Sequence, residues 1–183
     1  VLVNASGNIT VAADRTIQTN KGDVIFWSDL DNSAAGSISV GNNTVINTAN
    51  GSTSNNLTGG GHIVMAGGLD NGANFGTASD GIPDGFAISS TTPGLSLGTN
   101  TSGNTQLYSG GGNIVLNGRS TSASAVVDAI GIYNQGILTA NAGNGAILIN
   151  GQSAGYYAVN LTNPVSNVTT GTKHLVLLSN NAS

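Results

Sequence analysis

Short apolar triplets recur along the chain, most of them entered from a Gly-containing stretch and left through small or polar residues. Val24-Ile25-Phe26, Ile63-Val64-Met65, Ile114-Val115-Leu116, Ile147-Leu148-Ile149 and Leu175-Val176-Leu177 read as copies of one element. "GNITV", from Gly7 to Val11, reads as an earlier and more polar copy. Runs this short, rich in β-branched residues and bounded by Gly and Asn, predict strands. A second element recurs between copies of the first: "DGFAISSTTPG" at 84–94 aligns with "DAIGIYNQG" at 128–136. A third follows it, "GLSLGTN" at 94–100 beside "GILTANAG" at 136–143, with "GSISVGNN" at 36–43 as a further counterpart.

Three strands per repeat, in constant order but at irregular spacing, predict a parallel β-solenoid whose corner loops vary in length. The most compact coil runs from Gly112 to Gly145. In "GGNIVLNG" at 111–118, Ile114 and Leu116 fill the coil, and Asn117 with Gly118 starts the exit. About five to six coils, stacked at about 4.8 Å, would make a rod about 25 Å long. A β-sandwich of the same length is the alternative, but it gives no reason for restating one pattern in one order. Residues 1–183 read as a single β-solenoid segment, beginning in "VLVN" and stopping just after "HLVLL". No signal peptide is recognisable, and both ends look interior to a longer repeat protein, from which the segment is excised or with which it is continuous.

The middle position of each triplet departs from simple alternation. Period two turns Val24 and Phe26 inward and Ile25 outward. The outward set is then Ile25, Val64, Val115, Leu148 and Val176, an apolar stripe along one face of the rod. These residues are interface candidates, covered by another chain in a fibre or bundle. Alternatively, an insertion at 67–83 or 98–111 folds over them, or β-branched residues simply strengthen an exposed strand. The interface reading predicts that Asp at positions 64 and 115 leaves the monomer folded and abolishes self-association.

Composition narrows the function classes. Only 7% of residues are charged and all eight acids are Asp, while 38% are hydrophobic, so the chain buries a core but lacks the residues of surface helices. A net charge of −4, with Arg15, Lys21, Arg119 and Lys173 scattered, argues against nucleic acid. No apolar run approaches the ~20 residues of a membrane helix, so no membrane insertion is expected. There is no Cys, which excludes disulfides and thiolate metal sites. Nine N-x-S/T sequons are no more than a chain this rich in Asn, Ser and Thr yields by chance.

"SDLDN" at 28–32 and "GGLDN" at 67–71 place Asp31 and Asp70 at the same offset after two successive strands. Such a like-charge pair on neighbouring coils would be relieved by a cation such as Ca²⁺, and "SDGIPDG" adds Asp80 and Asp84. Neither stretch carries the alternating acids of a known calcium loop, and a solvated turn is the plainer reading, so no cofactor is expected. Catalysis has a weak case: carboxylate chemistry wants a second carboxylate or a nearby base, and the cationic half is nearly absent. His62 and His174 share one position before the strand with Asp23, Asn113 and Ala146, a corner position that tolerates anything. Trp27, Tyr156 and Tyr157 are candidates for stacking on sugars or for capping a core.

"GGNIVLNGRS … GIYNQGILTANAGNGAILINGQS", at 111–153, resembles the repeat region of filamentous-haemagglutinin-like bacterial exoproteins, adhesins exported by two-partner secretion or autotransport. The resemblance is compositional and periodic, and looser over 22–110. It implies a right-handed parallel β-helix, secreted to the bacterial surface and acting as an extracellular fibre or adhesive stalk. Its partners would be copies of itself or host and environmental glycans. In that family the middle position of the strand is usually polar; here it is apolar. The alternative function is a carbohydrate-binding or carbohydrate-cleaving β-helix that uses the Asp-containing loops at 67–84.

Overall fold

The computed structural model describes residues 1–50, 59–72, 77–98, 105–124, 127–132, 139–141, 145–161 and 175–181. Within them the chain is all-β, with every named strand pair parallel. Sheet A contains β1 (Leu2–Asn4), β4 (Val24–Ser28), β7 (Ile63–Gly67), β11 (Ile114–Ser120), β14 (Ile147–Ser153) and β16 (Leu175–Asn181) in that spatial order. A seventh strand, β8 (Ala87–Ser89), pairs with β11. Sheet B stacks β2 (Ile9–Val11), β5 (Ile38–Val40), β9 (Leu95–Leu97), β12 (Ile130–Ile132) and β15 (Val159–Leu161). Sheet C stacks β3 (Thr16–Gln18), β6 (Val45–Asn47), β10 (Gln106–Tyr108) and β13 (Thr139–Asn141). In chain order the strands visit A, B and C in turn, then A, B and C again.

One core joins the three sheets. Val24, Phe26, Ile63, Met65, Ile114 and Leu116 enter it from sheet A. Ile38, Val40, Leu95, Leu97 and Ile130 enter from sheet B, and Ile46 with Leu107 from sheet C. Each fully buried aliphatic side chain contributes about 1.5–3 kcal/mol relative to exposure. No three-residue strand is stable by itself, but each pairs its backbone with the equivalent strand before and after it.

The five apolar triplets do lie side by side in sheet A, in register through Ile25, Val64, Val115, Leu148 and Val176. Assignment of the other elements needs correction. "GNITV" is not a polar copy of the sheet A element: Ile9–Val11 pairs with Ile38–Val40 in sheet B, and the preceding sheet A strand is Leu2–Asn4. Nor do 84–94 and 128–136 share a face. Ala87–Ser89 pairs with Gly118–Ser120 in sheet A, whereas Ile130–Ile132 pairs with Leu95–Leu97 in sheet B. "GLSLGTN" therefore has "DAIGI" and "GSISV" as neighbours, and Thr139–Asn141 stacks instead on Gln106–Tyr108 in sheet C.

The reason is an interrupted strand. β11 pairs with β7 through Ile114–Leu116 and with β8 through Gly118–Ser120, so β7 and β8 are two halves of one rung. Residues 68–72 and 77–86 lie outside the sheet, between those two halves. Gly118 is likewise no exit: β11 runs on to Ser120. A Cβ at Gly118 would lie 2.6 Å from Ile130 Cγ1, so Gly is required where sheet A closes on sheet B.

Candidate functional site

The outer face of sheet A carries a second apolar cluster. Ile25, Val64, Ala66 and Val115 are its buried members, with Trp27, Ile82 and Leu148 packed against them. Val64 and Val115 are 0% and 1% exposed and Ile25 is 9% exposed. The stripe opens toward its C-terminal end, where Leu148 is half-buried and Val176 is 39% exposed. Of the five interface candidates, Ile25, Val64 and Val115 are thus closed off within the chain. The cover comes in part from the excursion between β7 and β8, whose Ile82 lies on the cluster and whose Gly68 carbonyl accepts from Trp27 Nε1 at 2.7 Å. Trp27 is used here as a half-buried cap.

Three of the four acids singled out from the sequence, Asp70, Asp80 and Asp84, serve the same excursion. Asp70 accepts from the amides of Ser79 and Gly81 at 2.7 and 2.8 Å. Asp80 accepts from Thr77 and Ile82, each at 2.9 Å. Asp84 is buried, and its Oδ2 accepts from the amides of Asn71 and Gly72. These are turn-forming contacts in which carboxylates satisfy backbone donors. Asp31 is exposed, and among the described residues no three His, Cys, Asp or Glu side chains gather as metal ligands. The buried acid of "SDLDN" is Asp29, which sequence reasoning passed over. Its Oδ1 accepts from Ser33 Oγ and the Ala35 amide, while its buried Oδ2 has no hydrogen-bond partner.

Two ladders were also missed. At the corner before sheet A, Asp23 Oδ1 accepts from the His62 amide at 2.7 Å. His62 Nδ1 accepts from the Asn113 amide at 2.9 Å, and Asn113 Oδ1 accepts from the Ala146 amide at 2.9 Å. At three of the four described positions the side chain does a specific job: Asp23, His62 and Asn113 each offer an acceptor to the residue aligned with it before the next strand, and Ala146 has none to offer. His174 lies outside the described residues. After sheet A, Ser89, Ser120 and Ser153 stack, and their hydroxyls accept from amides two or three residues on. The similar strings "NGRS" and "NGQS" were the available signal.

A groove of about 280 Å³ opens beside the excursion. Leu69, Phe86 and Ile88 supply apolar wall, Asn32 and Asn71 supply amides, and Arg119 and the buried Asp84 complete the lining. Ile88 and Arg119 are register partners on β8 and β11, so the interrupted strand itself fixes this juxtaposition. Elsewhere Tyr156 and Tyr157 pack with ring centroids 4.2 Å apart. The Tyr156 hydroxyl titrates above the ordinary tyrosine range, first through its hydrogen bond to Tyr157 and then through electrostatic interaction with that neighbour. Tyr157 is exposed.

No protein-family model matches the chain, and neither a curated protein nor a solved structure matches it.

Proposed function

We propose that the chain is a run of five to six coils of a right-handed parallel β-helix, part of a secreted bacterial surface fibre or adhesin stalk. The observation that carries this reading is the cyclic order of strands through three parallel sheets, with equivalent residues in register from coil to coil. Right-handedness follows from the strong preference of parallel crossover connections. Six rungs of sheet A, at about 4.8 Å each, give a rod about 25 Å long. Stiffness comes from backbone ladders and side-chain stacks repeated in every coil, and from no special residue. The resemblance to filamentous-haemagglutinin-like repeats supports an extracellular setting, with copies of the chain or glycans as partners.

Negative-stain imaging with limited proteolysis tests the stalk reading. Rods or end-to-end filaments that resist protease within the coils are expected; round, rapidly digested particles would contradict it. The groove beside residues 68–71 favours a second reading, in which the rod also binds carbohydrate. A glycan array, with reducing-sugar release measured in parallel, separates binding from cleavage.

A further inference from the structure

We propose that the groove bounded by Leu69, Phe86 and Arg119 is a subsite for a uronate unit of an acidic polysaccharide, an inference that rests on the carbohydrate-binding reading. Asp70, Asp80 and Asp84 are each turned onto backbone amides of the excursion, and Asp84 is 0% exposed. The one charged side chain that the groove presents to solvent is then Arg119, which is exposed. Among the described residues its guanidinium forms no hydrogen bond or ion pair. A guanidinium held beside an apolar wall is a fork for a carboxylate, which it takes through two parallel N–H···O bonds.

The rest of the groove suits the ring that carries such a carboxylate. Phe86 is half-buried and Leu69 is 51% exposed, giving apolar surface for the C–H face of a pyranose. Asn32 is exposed and lines the groove, and its amide both donates and accepts, as sugar hydroxyls require. The fold holds these groups at fixed spacing, because Ile88 and Arg119 are paired across β8 and β11 and the 68–71 turn is tied to the base of the excursion. That tie is made by Asp84 and Gly85 amides donating to the Leu69 carbonyl at 2.9 and 3.2 Å.

Isothermal titration of the whole chain with a glucuronate tetrasaccharide tests this, beside a neutral tetrasaccharide of the same linkage and free sialic acid. The uronate oligosaccharide is expected to bind, more weakly as salt rises, and the neutral one about tenfold or more less tightly. Arg119→Gln, at an exposed position, should leave the melting temperature unchanged and weaken uronate binding about ten- to a hundredfold. Leu69→Ser should weaken it by a smaller factor without unfolding the chain. Unchanged binding in Arg119→Gln, or equal binding of the neutral sugar, overturns the uronate site but leaves a carbohydrate site standing. Sialic acid binding as tightly as the uronate overturns the choice of sugar. No binding by any probe overturns both this inference and the carbohydrate reading, and leaves the stalk reading to its own test.

Discussion

Sheets A and B send the same kind of residue inward and opposite kinds outward. Along sheet A the outward row is Ile25, Val64, Val115, Leu148 and Val176; along sheet B it is Thr10, Ser39, Ser96, Gly131 and Asn160. Sheet B meets water with hydroxyls, and Ser96 Oγ reaches Ser39 Oγ at 3.2 Å. Sheet A has a β-strand split into β7 and β8, and Ile82, from the stretch between them, packs on the apolar row. An outward apolar row on a stacked sheet therefore states a demand for cover. Here part of the supply is local, from the stretch inserted into the middle of one rung.

The largest expected effect breaks the comparison at its centre. Val115→Asp places a carboxylate at a site 1% exposed, costing several kcal/mol, enough to unfold a domain of ordinary stability. Ser96→Asp, the corresponding outward change in sheet B, should cost less than about 1 kcal/mol. Circular dichroism with thermal melting compares the two, and a well-folded Val115→Asp would refute the closed cluster. The interface reading made the opposite prediction for this substitution, which burial reverses. Next in size is the cover itself: Ile82→Ala should cost about 1–2 kcal/mol, below the usual core value because Ile82 is only half-buried. If chemical denaturation shows no loss, the cover is held by other residues.

A converse change sharpens the contrast. Thr10, Ser39 and Ser96, all replaced by Val, would give sheet B an uncovered apolar row while leaving its core untouched. Sedimentation should then show concentration-dependent self-association with little change in melting temperature. The smallest effect concerns the corner ladder. His62→Leu removes the acceptor for the Asn113 amide and should cost about 1 kcal/mol. His62→Asn supplies an oxygen in its place and should recover most of the loss. Equal losses in the two variants would mean that Nδ1 does not support the next coil.

How much of this was legible can be followed residue by residue. The five triplets, their alternation and their register were readable, because period two over Val24–Phe26 or Ile114–Leu116 admits one inward set. The apolar stripe was readable too, and a loop at 67–83 stood among its possible covers. Assignment of elements to faces failed at "GNITV" and "DGFAISS". A three-residue strand in sheet B and the second half of a strand in sheet A both read as small, apolar, small, apolar. Only pairing tells them apart. The acids were legible as turn formers, yet the offset shared by Asp31 and Asp70 drew attention from Asp29, whose burial depends on the fold around it. Arg119 gave no signal, because its neighbour Ile88 lies 31 positions earlier and meets it only across the interrupted rung.

The coil-on-coil stack is most directly tested by crosslinking. Ser39 and Ser96 are register partners in sheet B although 57 residues apart, and the chain has no Cys of its own. Parallel neighbours stand about 4.8 Å apart, within the Cα span of a disulfide. Oxidation of the Ser39→Cys, Ser96→Cys double variant should give a monomer with no free thiol, a disulfide-linked peptide joining the two strands, and a raised melting temperature. Two free thiols in the folded protein, or crosslinks formed only between chains, would contradict the stack.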